Sequence, residues 1–214
     1  MVNNLKFGTA VPSDFTVSIA GGPGPVSAAE DGPVIIGLAP GISYNVSANG
    51  PAGYDLARSG DCVGTSTVGR RSCTLTLTEQ PMMCDDSLWS RVYLRDRLHV
   101  LDACEAASGI VADAGIEMDG DLVIELVPDA PYTNLLRPGN RTNPSAHGNL
   151  VVEVPCQGST NESAPTAACA SFTGARIAPP PRGAHIVAAA HWVEDRNHSA
   201  WGELHGANIR LLPR

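Results

Sequence analysis

The chain is poor in charge, in lysine and in aromatic rings. Of its 214 residues 17% are charged and 5% aromatic, and Lys6 is the only lysine. Acidic side chains outnumber basic ones 22 to 14, a net charge of −8, which disfavours a protein that neutralises a phosphate backbone. No apolar run approaches the ~20 residues of a membrane-spanning helix, and no secretory leader pattern opens the chain. GxSxG, HExxH, the P-loop and GxGxxG are missing. So is Cys-x-x-Cys, which argues against a structural zinc site or a thioredoxin-type redox site. Gly (22) and Pro (17) are plentiful instead, so many turns and no long helices are expected.

Six cysteines stand at 62, 73, 84, 104, 156 and 169. Their even number and close neighbours suggest the disulfides Cys62–Cys73, Cys84–Cys104 and Cys156–Cys169, although other connectivities stay open. Disulfides mark oxidising compartments, so an extracellular or cell-surface location is expected, with a leader already removed before Met1. The alternative is six buried thiols in a cytosolic protein.

The chain divides near Gln80-Pro81. Residues 1–80 carry four basic and six acidic side chains and no His or Trp, whereas 81–214 hold ten and sixteen, with every His and Trp. In the first part apolar residues alternate with period two: Phe15, Val17, Ile19; Ile42, Tyr44, Val46; and Cys73, Leu75, Leu77 against Thr74, Thr76, Thr78. Gly21 to Pro25 and Pro40-Gly41 punctuate these runs. Short antiparallel strands of this kind form a small β-sandwich, with Cys62–Cys73 stapling its last two strands across the loop 63–72.

Gly8-Thr9-Ala10, Ser13 to Val17, Leu38 to Val46, Gly50-Pro51-Ala52-Gly53-Tyr54, Ser59 to Thr65 and Cys73 to Thr76 together resemble the prealbumin-like (SpaA or Cna B-type) repeats of bacterial surface proteins. The resemblance covers residues 2–80 and implies a spacer in an adhesin or pilus. Relatives often carry a Lys–Asn isopeptide bond. Here Leu77 stands where the Asn would fall and Ala48 where an acid often precedes, so no such bond to Lys6 is expected. Relatives also begin with a fuller apolar strand than Met1-Val2-Asn3-Asn4. A missing strand would leave a sheet edge open to protein partners at the cell surface or to self-assembly.

In the second part Leu88–Leu98 reads as a short helix or turn and Arg97–Leu101 as extended. Ala107–Ile116, Asp121–Val127 and Leu150–Val154 read as strands, the first two joined by Met118-Asp119-Gly120, a hairpin signal. A short helix over Ala164–Phe172, N-capped by Ser163, precedes strands His185–Val193 and Trp201–Ile209. Three strands, a helix and two strands is the order of an OB-fold, a five-stranded barrel. The fold class expected is therefore all-β with one short helix: a prealbumin-like sandwich (1–80), then an OB-like barrel (81–214). Asp119-Gly120-Asp121, Gly148 to Glu153, Cys156, Cys169, Trp192-Val193 and His198 to His205 also resemble an uncharacterised secreted bacterial domain. Relatives often place a His after the Asp-Gly-Asp turn, where this chain has Leu122-Val123-Ile124.

Trp201, Glu203 and His205 share one face of the last strand, with His198 and Asp195 just before them. His185 and His191 share a face of its expected neighbour. His191, His198, Glu203 and His205 could thus hold a divalent metal such as zinc, or a His–Glu pair could act in acid–base chemistry. A plain solvated strand, with Trp201 packed on its neighbour, explains the same pattern. Trp192 and Trp201 could stack a ligand. Asp113, Glu117, Asp119 and Asp121 could bind calcium, though their spacing misses the EF-hand loop. Pro138–Gly148 and Ile177–Gly183 read as mobile loops. Asn45, Asn140, Asn161 and Asn197 head glycosylation sequons. The leading functional expectation is a secreted structural or adhesion-type protein. A metal-assisted hydrolase, perhaps a nuclease, and an oligosaccharide- or nucleic-acid-binding module are the alternatives.

Overall fold

The computed structural model describes residues 1–7, 10–22, 24–27, 33–51 and 53–212. Gly8, Thr9, Pro23 and Ala52 of the motifs above lie outside them. The fold is all-β with short helices, in two compact units, Met1–Pro81 with Leu212, and Met82–Leu211. No helix among the described residues is long and apolar enough to cross a membrane.

The first unit has strands β1 (Val2–Asn3), β2 (Thr16–Ala20), β3 (Val26–Ser27), β4 (Ser43–Asn49), β5 (Tyr54–Gly60), β6 (Val63–Thr65) and β7 (Cys73–Glu79). They form two sheets, β1-β7-β5 and β3-β2-β4-β6. Phe15 and Leu77 are buried between them, with Val2, Ala48, Tyr54 and Leu56 packed alongside. The Phe15 ring meets Tyr54 edge-on at 5.4 Å. The Glu79 carboxylate accepts the backbone N–H groups of Leu5, Lys6 and Phe7 at 2.7, 3.0 and 3.2 Å, fixing a segment that has no ladder of its own.

One expectation changes here. Residues 63–72 are not simply a loop, because Val63–Thr65 is β6, paired with β4 in the other sheet. The Cys62–Cys73 disulfide therefore ties the β5–β6 crossover to β7. Val2–Asn3 forms a short strand at the edge of its sheet. β1 runs parallel to β7 with Val2 opposite Leu77, and Leu77 donates to the Met1 carbonyl at 2.9 Å.

The second unit has α1 (Asp86–Trp89), β8 (Leu98–Ile116), β9 (Leu122–Pro128), α2 (Pro138–Thr142), β10 (Leu150–Val154), α3 (Ser163–Cys169), β11 (His185–Asp195) and β12 (Trp201–Leu211). The strands close a barrel in the order β8-β9-β10-β12-β11 and back to β8. Neighbours are antiparallel except β10 and β12. Leu122, Ile124, Leu126, Leu150, Val152, Val154, Ile186, Ala188, Ala190 and Leu204 fill its interior. Their alternation follows from the period-two side-chain direction of strands.

The extended segments expected at 97–101 and 107–116 join in one continuous strand, β8, which begins at Leu98. Residues 88–98 hold the end of α1 and a 3-10 turn, Arg95–Arg97. The expected helix over 164–172 spans Ser163–Cys169, so Glu162 rather than Ser163 takes the N-cap position. Cys84–Cys104 and Cys156–Cys169 pair as neighbours.

The loop 138–148 is not loose. It contains α2, and Asn140 is fully buried. The Asn140 side-chain oxygen accepts from Arg137 and Gly202 backbone N–H groups, and its amide donates to the Asn149 and Gly202 carbonyls, all at 2.7 to 2.9 Å.

β12 carries a bulge: Ala189 faces Asn208 and His191 faces His205, so Gly206 and Ala207 share one opposite residue. Gly206 has φ +75°, a conformation that glycine adopts without a Cβ penalty. The bulge shifts the alternation, putting both Leu204 and Ala207 inside the barrel.

Candidate functional site

Because Val152, Ala190 and Leu204 point inward, Glu153, His191, Glu203 and His205 point to the outer face. The expectation of a solvated surface there is overturned. Glu203 is 0% exposed, His205 1% and Glu153 7%. The segment from Cys84 to Arg97 covers them. Trp89 lies flat on His191 at a centroid distance of 4.0 Å and presents its edge to His205 at 6.3 Å. A Cβ on Gly206 would stand 2.9 Å from the Trp89 Cα, so the bulge glycine is what lets the cover approach β12.

Parallel pairing sets Glu153 opposite His205. His205 Nδ1 lies 2.5 Å from Glu203 Oε1, and its Nε2 lies 3.4 Å from Glu153 Oε1. Trp201 Nε1 donates to the other Glu203 oxygen at 2.7 Å. Burial alone would deprotonate His205, but the two carboxylates outweigh it and lift the imidazole to about 9. Burial lifts Glu153 to about 8 against the pull of His205. Burial also opposes the charge of Glu203, yet the charge and N–H of His205 hold it below the usual carboxylate value. The imidazole and Glu203 thus favour each other's charged forms, while burial pushes the Glu153 carboxyl toward its neutral one.

Asp121 reaches the same cluster from the hairpin turn. Burial raises it to about 6, although the Cys156 N–H bond at 2.7 Å opposes this. Asp119 accepts the Tyr93 hydroxyl at 2.6 Å and the Asp121 N–H at 3.1 Å. Arg97, Asp195 and His198 form a second group. Buried Asp195 accepts from the Arg97 guanidinium and from His198 Nδ1, the latter at 2.7 Å. The His198 ring stacks on Trp201 at 4.5 Å and its side chain is 44% exposed.

The donor atoms of Glu153, Glu203 and His205 lie within 4.8 Å of one another, as do those of Asp119, Asp121 and Glu153. Such a set is able to coordinate a cation. In this arrangement the imidazole already supplies the positive charge, and both of its nitrogens face carboxyl groups.

Of the residues singled out in the sequence, Glu203 and His205 meet. His191 stands opposite His205 in the ladder but is engaged by Trp89. His198 joins Asp195 rather than Glu203, and His185 pairs with Asp129 at 2.8 Å. Trp192 packs against the barrel core and donates to the Leu135 carbonyl at 3.2 Å. Trp201 is buried with one face on His198, so its ring offers no open platform, whereas Trp192 is half-buried. Asp113 and Glu117 are exposed and do not gather with Asp119 and Asp121. Glu153, Tyr93 and Arg97 were not anticipated. The odd position of Glu153 within an otherwise apolar strand was the available signal. Against family models, curated proteins and solved structures, the chain gives no match.

Proposed function

We propose that the chain is a secreted structural or adhesion-type protein, in which a prealbumin-like spacer (1–80) carries an OB-like module (81–214) that works by binding or assembly. The barrel order, with one parallel pair and a helix between its third and fourth strands, supports the OB-like reading. Three disulfides with no free cysteine fit an oxidising compartment. The observation that carries the reading is the closure of the His205 cluster: the residues best suited to hydrolysis are sealed from solvent and spend their polar atoms on one another. A catalytic base has to reach the proton it takes.

The test is an assay against chromogenic phosphodiester and carboxylic ester substrates, with zinc, manganese or calcium, on wild type and His205→Ala. Equal background rates support the proposal. Metal-dependent turnover that disappears in His205→Ala overturns it in favour of a hydrolase.

A further inference from the structure

Glu153 is the member of the cluster that lacks a donor. Its side chain is 9% exposed, yet among the described residues no N–H donates to it in hydrogen-bond geometry. It faces His205 Nε2 at 3.4 Å and the carboxyl group of Asp121. A buried acceptor ordinarily has a donor, and one without marks the place of a water or an ion. The charge count points to an ion. Asp119, Asp121, Glu153 and Glu203 gather here, and Arg97, the guanidinium that acts on Glu153, is already engaged by buried Asp195. Four carboxyl groups thus share one imidazole, and buried charge of one sign needs a partner.

The spacing fits an ion as well. At 3.4 Å, His205 Nε2 and Glu153 Oε1 stand farther apart than a good hydrogen bond allows. Two donors on one tetrahedral ion are separated by roughly 3.4 Å when each bond is about 2.1 Å. Glu153 belongs to both donor groups, so an ion beside it meets His205 on one side and Asp121 on the other. The outward-facing atoms of these residues are held by the protein. Glu203 takes His205 Nδ1 at 2.5 Å, Trp201 Nε1 holds the second Glu203 oxygen, and the Cys156 N–H fixes one oxygen of Asp121. A carboxylate on the far nitrogen of a ligating histidine orients the ring and leaves the near nitrogen as the donor. An imidazole in the set favours a transition ion over calcium, which takes six to eight oxygens. A closed site of protein ligands is of the structural kind, so holding the ion asks for no turnover.

We propose that Glu153, Asp121 and His205 Nε2 hold one divalent transition-metal ion, zinc or manganese, in place of the Nε2 proton, with Glu203 orienting the imidazole. The displaced proton leaves to solvent as the ion binds.

Metal counting on the intact, oxidised chain tests this after chelator treatment. Zinc, manganese and calcium are each offered at slight excess, both to the folded chain and during refolding from urea. About one equivalent of zinc or manganese per chain should survive dialysis, with calcium held about tenfold more weakly or worse. Glu153→Gln and Asp121→Asn, checked for folding by circular dichroism, should each weaken uptake about tenfold or more. His147→Ala, which removes an exposed histidine, should leave uptake unchanged. X-ray absorption of the zinc-loaded or manganese-loaded wild type reads the donors directly and should show one imidazole among oxygen neighbours. No stoichiometric uptake, undiminished uptake in a folded Glu153→Gln or Asp121→Asn, uptake lost in His147→Ala, calcium held as tightly, or two or more imidazoles on the ion would each overturn the proposal.

Discussion

His205 sits where removing a side chain leaves charge behind. His205→Ala strands Glu203 without its imidazolium in a site closed to water. It should cost about 3–5 kcal/mol, the range for breaking a buried ion pair. Glu153→Gln keeps the shape of a group whose neutral form burial favours and should cost under about 1 kcal/mol. Urea denaturation of both variants measures the contrast. The pH profile follows from the same groups. His205, Glu153 and Asp121 have values raised from 6.5, 4.5 and 3.8 to about 9, 8 and 6. Each contributes stability that is full below its unfolded value and lost as pH climbs through the folded one. Glu203 is lowered, so its contribution is present above its unfolded value and lost as pH falls. The urea midpoint should therefore peak near about pH 5 and decline steadily toward about pH 9. The shared face of Glu203 and His205 was legible from alternation alone. Glu153 was not, because its place beside them depends on a parallel register between strands some fifty residues apart.

At the scale of elements, alternating residues and turn chemistry revealed most strands, since both are local signals. The Gly206 bulge left no such trace. One glycine in a strand has many explanations, and only the opposing register shows that it opens β12 to α1. Residues 88–98 likewise read as no more than a helix or turn, because their side chains answer to the barrel rather than to one another. Gly206→Ala should strain a φ of +75° and push a methyl group against the Trp89 backbone. A loss of roughly 1–3 kcal/mol is expected. The Trp89–His191 stack should loosen as well, which the ring-current shift of the His191 protons would report by NMR. A full-strength stack in that variant would show that the bulge glycine does not set the approach.

For the molecule as a whole, each unit closes its own disulfides and its own core. Residues 82–211 expressed alone should therefore keep Cys84–Cys104 and Cys156–Cys169 and melt in one cooperative transition by calorimetry. Reducing both bonds should lower that transition, by about 2–4 kcal/mol for each bond lost. Their pairing was readable because neighbouring cysteines close short loops. Barrel closure was readable as an order of elements. The enclosure of the polar cluster was not, since burial on an outer face requires a covering segment whose landing place no local pattern specifies.

Asn140 brings time into the picture. It opens an Asn-Arg-Thr sequon, yet its amide is spent on β12 and lies wholly inside. In a host that attaches glycans during synthesis, a sugar reaching Asn140 before the chain folds would bar α2 from its seat against Gly202. Asn45, Asn161 and Asn197 are exposed and would carry the same modification harmlessly. Material recovered from such a host should carry sugar at some of those three positions and none at Asn140, because the molecules modified there are the ones that fail to mature. Glycopeptide mapping of secreted and retained fractions would separate the two populations.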